Sequence, residues 1–164
     1  MTKASMLLAG VLATLLAACG GATPPPQTSA APTGADTPAD KCLAIARAKR
    51  ERRADEPSKI TAKHILVRYA GAKKGQATVT RTAGEACLRA LEARAKLQEG
   101  MSFADAVAAY SEEPGAATRE GTVGSITRTD VVPPFADAAF ELGRGDVSHV
   151  VETDYGFHII LRTE

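Results

Sequence analysis

The run Thr153-Asp-Tyr-Gly-Phe-His-Ile-Ile-Leu-Arg162 constrains this chain more than any other stretch, because aromatic and β-branched residues fill both faces at the two-residue period of a strand. Phe157, Ile159 and Leu161 fall on one side. Gly156, His158, Ile160 and Arg162 fall on the other. Such a run reads as the central strand of a small domain. A second run, Lys59-Ile-Thr-Ala-Lys-His-Ile-Leu-Val-Arg68, has the same form, with Ala62, His64, Leu66 and Arg68 on one face and Ile65 and Val67 on the other. If the two strands are neighbours, their histidines can meet.

Between them the sequence alternates helix and turn signals. Thr82-Ala-Gly-Glu85 has the capping pattern that opens a helix, with Ala86, Ala90, Ala93 and Leu97 as its inward stripe and Gly100 as its stop. Ser102-Phe-Ala-Asp105 opens a shorter helix carrying Phe103, Val107 and Tyr110. Thr122 to Ile126 is a short strand candidate, Pro134 suits the first turn of a helix carrying Phe135, Ala138, Ala139 and Phe140, and Val147 to Val151 is a further strand. This order predicts an α+β domain with a mixed or antiparallel sheet. Tryptophan is absent, so Phe135, Phe140 and Phe157 are the bulkiest core candidates among Ala, Val, Ile and Leu.

The N-terminal part is of another kind. Residues 1–18, with Lys3 ahead of the apolar run Met6 to Ala18, read as an export signal too short for an ordinary membrane span. Leu16-Ala-Ala-Cys19 resembles a bacterial lipobox, which makes Cys19 the expected lipidated residue; the alternative is a plain secretory signal with an incidental cysteine. Residues 19–40 are rich in Pro, Ala, Thr and Gly and predict a disordered tether, since they hold too little apolar surface to offset the entropy of ordering. About 20 such residues reach roughly 25 Å. Residues 41–56, with Leu43 and Ile45 followed by Lys49-Arg-Glu-Arg-Arg53, predict a short basic helical linker, either solvated or lying on a membrane or partner. Pro57 marks the start of the domain, residues 57–164.

Twenty basic residues against 19 acidic ones give the whole chain no electrostatic character of the kind a nucleic-acid binder shows. Export would put Cys42 and Cys87 in an oxidising compartment where a disulfide persists. Cys87 beside the alanine stripe also suits a small buried apolar group, and the sequence leaves the pairing open. No residues have zinc-ligand spacing, and His64, His149 and His158 form no metal motif.

Lys63-His-Ile-Leu-Val67 near the start of the domain and Tyr155-Gly-Phe-His-Ile-Ile160 near its end resemble the paired signatures of the parvulins, which are peptidyl-prolyl cis/trans isomerases. Phe103 to Ser111, Gly121-Thr-Val-Gly124, Pro134 to Phe140 and Leu142 to Val147 are each similar to a parvulin segment and stand in family order. The resemblance implies a four-stranded mixed or antiparallel sheet with three to four helices in the order β-α-α-β-α-β-β. It implies non-covalent rotation about X-Pro bonds, with no metal and no cofactor. It places His64, Glu113, Thr153 and His158 in the catalytic set, the histidines bonded to one another and to nearby hydroxyls and holding the shape of the site. Glu113 falls where the family has a cysteine or aspartate facing the substrate carbonyl, although its neighbour Glu112 could supply the group. Tyr155 replaces what is often a serine.

The same resemblance assigns Val123, Val131 and Phe135 to the slot for the proline ring. Arg68, Lys73 and Lys74 match the spacing of the basic triad of phosphorylation-directed parvulins, although a basic loop by itself is commonly a solvated face and this chain has no WW domain. The expected partners are proline-containing unfolded or loop segments of exported proteins, with an acidic or phosphorylated residue before proline, and a membrane reached through the lipid anchor. Nucleic acid is not expected. The expected location is the cell envelope, at the periplasmic face of either membrane. The competing reading is a non-catalytic chaperone or peptide-binding module on the same fold.

Overall fold

A capping box at Thr37 and Asp40, followed by Pro38 in the first turn, begins the described part of the chain, helix α1 (Pro38–Ala46). The structure is a computed structural model in which residues 37–164 are described; the expected signal, Cys19 and the tether up to residue 36 lie outside the described residues. Strand β1 (Ile60–Val67), helices α2 (Ala83–Gln98) and α3 (Phe103–Tyr110), strand β2 (Thr122–Ile126), a 3-10 turn (Arg128–Asp130), helix α4 (Pro133–Glu141) and strands β3 (Val151–Thr153) and β4 (Gly156–Arg162) follow.

The four strands lie in the order β2-β1-β4-β3, and every neighbouring pair is antiparallel. The two apolar runs are therefore the central strands. Their double-sided pattern has a direct cause in the layers. Ile65, Val67, Phe157 and Ile159 pack with α1, α2 and α3 on one face, whereas Ala62 and Ile160 pack with Phe135, Ala138, Ala139 and Phe140 of α4 on the other. Phe140, Phe157, Ile65 and Ile159 are wholly buried, each side chain contributing about 1.5–3 kcal/mol relative to exposure. Helix α2 carries the expected capping box of Thr82 and Glu85, and Ser102 caps α3.

Two expectations are corrected. Residues 41–56 are not a solvated helical linker. The helix starts earlier, at Pro38, and a disulfide joins Cys42 to Cys87 on α2, with the Cα atoms 6.0 Å apart. Cys42 and Ala46, one helical turn apart, form the buried face of α1. The stretch beyond it is not helical, and its charged side chains grip the domain instead: Arg47 bonds Glu152, Arg50 bonds Glu141, and Glu56 accepts from Arg128 at 2.8 Å. The second correction concerns Val147 to Val151. Only an isolated bridge joins Val147 to Leu161, because the Ser148 hydroxyl accepts the Ile160 N–H at 2.9 Å in place of a backbone carbonyl, and regular pairing resumes at Val151.

Candidate active site

Strand register decides whether the histidines meet. His64 lies opposite Ile160 and Leu66 opposite His158, so the two imidazoles stand diagonally on the face that α4 covers. Their Nδ1 atoms are 3.1 Å apart and both residues are buried. Phe135, in the first turn of α4, presents its ring edge-on to both, with centroids 5.7 Å from His64 and 5.4 Å from His158.

At its two ends the pair meets groups of different character. His64 Nε2 is 2.8 Å from Glu113 Oε2, and His158 Nε2 is 2.8 Å from Thr153 Oγ1. Hydrogen bonding from His64 is the first cause that holds the Glu113 carboxyl down at about 2, with the nearby His64 and Arg119 charges adding to it against burial. Burial, and then His64, push His158 well below the ordinary histidine range, so its ring is neutral. With Glu113 ionised and His158 neutral, the His64 tautomer that leaves Nδ1 bare gives the protons one order. The ionised carboxylate accepts from His64 Nε2–H, the bare His64 Nδ1 accepts from His158 Nδ1–H, and His158 Nε2 accepts from the Thr153 hydroxyl. That hydroxyl in turn accepts the Tyr155 N–H at 3.1 Å.

Local backbone geometry makes the site possible. Gly121, at φ +71°, lies against the His64 carbonyl, where any Cβ would collide; its own carbonyl accepts the His64 N–H at 2.8 Å. The loop after α3 docks beside β1, with the Ser111 hydroxyl accepting the Leu66 N–H and the Glu112 N–H donating to the Leu66 carbonyl. This docking separates the two glutamates. Glu113 turns to His64, while Glu112 accepts from the Arg68 N–H at 2.8 Å and from Arg81 at 2.6 Å. The resulting hollow, of about 250 Å³, is lined by His64, Glu113, Arg119, Thr122, Val123 and Phe135. Val131 packs against the core beneath α4 and does not line it. Arg119 and Thr122 do, and sequence reading missed both. The Pro114-Gly115 turn that brings Arg119 back to Glu113 was the one available signal.

The three basic residues expected to converge on an anion do not do so. Arg68 is buried, and its guanidinium donates to the Lys73 carbonyl at 2.9 Å, holding the loop. Lys73 is paired with Asp154 at 2.6 Å. Lys74 Nζ lies 5.8 Å from the centre of the Tyr155 ring.

The sequence profile described as PPIC-type PPIase domain matches residues 44–164. The chain belongs to this parvulin family. Among curated PPIC-type relatives, the foldase protein PrsA of Geobacillus kaustophilus is 38% identical over 106 residues, which are 65% of this chain and 32% of that protein. The putative peptidyl-prolyl cis-trans isomerase dodo of Drosophila melanogaster is 33% identical over 112 residues, 66% of this chain and 68% of that protein. Among solved structures, PrsA from Bacillus subtilis is matched with a TM-score of 0.51 at 35% identity, over 65% of this chain and 35% of that one. The PPIase domain of TbPar42 gives 0.58 at 28% identity, over 64% of this chain and 99% of that one. The chain thus spans about a third of the length of the PrsA relatives and nearly the whole of an isolated parvulin domain.

Proposed function

We propose that this chain is a peptidyl-prolyl cis/trans isomerase that turns X-Pro bonds of exported polypeptides without covalent chemistry. The observation that carries the reading is the unbroken hydrogen-bonded chain from Glu113 through His64 and His158 to Thr153, laid against Phe135. Rotation about the bond faces a barrier of roughly 18–20 kcal/mol because it breaks amide resonance, and each 1.4 kcal/mol or so of selective stabilisation gives about a tenfold rate. In the planar amide the carbonyl oxygen carries excess negative charge, which the twisted form loses. A fixed carboxylate facing that oxygen therefore raises the ground state more than the transition state, and a ring held on Phe135 and Val123 keeps the bond there. His64 and His158 hold the carboxylate in place and carry no proton to the substrate.

The test is a chromogenic prolyl peptide. The parent is expected to accelerate isomerisation, and Phe135→Ala to lose at least about tenfold in kcat/KM while remaining folded. Peptide binding by the parent without acceleration would make the chain a binding module of the envelope instead.

Substrate choice and location belong to the same proposal. Of the basic residues read as an anion site, the arrangement leaves Lys74 as the cation toward the residue before proline, and one exposed charge is worth about 0–1 kcal/mol. Glu-Pro or phosphoserine-Pro peptides should therefore be preferred over Ala-Pro by no more than a few fold, an advantage that salt removes. Export with a lipid anchor at Cys19 is supported by the signal-like N-terminus and by the Cys42–Cys87 disulfide, a bond that persists in oxidising compartments. The name foldase given to the PrsA relatives is in keeping with polypeptide clients. Cys19→Ser should release the protein from membranes; retention with unchanged mass would remove the anchor.

A further inference from the structure

Arg119 is the cation on the lining of the cleft, and the loop that carries it is folded around it. From Glu113 the chain turns back so that Arg119 Nη1 donates to the Pro114 carbonyl at 3.0 Å while Nη2 donates to Glu113 Oε2. Gly115, at φ +73°, permits the turn, and a side-chain carbon there would come within 3.3 Å of Nη1. The carboxylate oxygen that Arg119 holds is the same one that accepts from His64 Nε2. Glu113 is thus gripped at one atom, by β1 through His64 and by its own loop through Arg119.

The proton order along the site has a mirror form. Were Glu113 protonated, it would donate to His64 Nε2, His64 Nδ1–H would donate to His158 Nδ1, His158 Nε2–H to Thr153 Oγ1, and the threonine proton would turn to the Gly156 carbonyl, 3.4 Å away. That form takes up one proton from solvent and leaves no polar atom in the chain unpaired. As long as His64 carries a single proton, the charge on Glu113 selects between the two orders.

We propose that Arg119 is a positioning residue for the isomerisation, acting through Glu113: its clasp aims the carboxylate at His64 and so holds the near end of the hydrogen-bonded chain that runs from Glu113 to Thr153. Its catalytic meaning rests on the isomerase reading, whereas the proton order is a property of the free protein. The charged and titratable groups that face Glu113 are His64 on β1 and Arg119 on its own loop, with His158 on β4 behind His64 and Arg68, just past the end of β1, acting on His158; from α4 the Phe135 ring faces the pair.

The experiment uses the full chain and follows the Glu113 carboxyl by 13C NMR and the His64 ring nitrogens by 15N NMR as pH falls, with the peptide assay run in parallel. In Arg119→Gln the carboxyl titration should move up by about one pH unit, and the acid limb of kcat should move with it. Arg119→Lys, which keeps the charge, should return both toward the parent. Gly115→Ala, which crowds Nη1 and alters no charge, should move them in the same direction as Arg119→Gln. Titration of Glu113 at the parent's pH in both Arg119→Gln and Gly115→Ala would overturn the proposal even if the parent is a good isomerase. A shifted titration in a parent that turns over no prolyl peptide would sink the isomerase reading and leave the positioning role standing.

Discussion

His158 is neutral in the folded protein because burial disfavours its charge, while in the unfolded chain it takes a proton near 6.5. The unfolded state therefore gains a proton first as pH falls, so the stability that His158 contributes is full above 6.5 and is lost below it. His149, also held down by burial, has the same sign. Glu113 has a folded value of about 2 against 4.5, so its contribution is present above 4.5 and fades between 4.5 and 2. All three shifts point one way. The denaturation midpoint in urea should drop steadily from pH 7 to pH 3, and His158→Asn should flatten the upper part of that fall; midpoints that do not change with pH would contradict this account. The histidines were legible in the sequence because a two-residue period fixes which face each occupies. Arg68 was not. Its guanidinium is buried by a carbonyl of a loop that has no period, and spacing alone made it look like a ligand for an anion.

Among the elements, α2 was the easiest to read, with a capping box at its start and alanines at helical spacing along its buried side. Helix α1 was the hardest. It spans 9 residues and buries only Cys42 and Ala46, too little apolar surface to announce a docked helix. The covalent bond to α2 supplies what that surface lacks. Closing a loop across a sequence separation of 45 residues stabilises the fold by up to about 4 kcal/mol in the chain-entropy account. Reduction, or Cys42→Ser, should lower the unfolding free energy by a large part of that amount and speed amide exchange in residues 37–46, leaving the amides around His64 and His158 protected. Equal exchange of α1 in oxidised and reduced protein would show that its packing holds it without the bond.

On the scale of the whole molecule, sequence reading placed the start of the domain at Pro57, on the strength of a proline and a run of charges. We propose an earlier start, near residue 37, since Cys42, Ala46, Arg50 and Glu56 all make contacts that bind the N-terminal arm to the domain. Glu56 matters most for the site. It holds Arg128 through two bonds of 2.8 Å, and Arg128 also reaches Asp137 on α4 at 2.7 Å, so the arm braces the helix that carries Phe135. Residues 57–164 should melt at a lower temperature than residues 37–164 and have lower kcat/KM on prolyl peptides. Equal values would put the boundary back at Pro57.

The path of the arm has a consequence for a protein whose proposed clients are extended chains. From α1 on one face of the sheet it passes β3, where Arg47 bonds Glu152, and ends on the other face at Glu141 and Arg128. Strand β3 is the last in the sheet, and a terminal strand offers unpaired backbone groups on which a foreign strand can grow. The arm lies across that margin like a strap, and the disulfide fastens its near end. Of the two margins of the sheet, β2 and β3, the arm thus guards the one at β3, where a client of the proposed isomerase could otherwise add itself to the sheet and seed an aggregate.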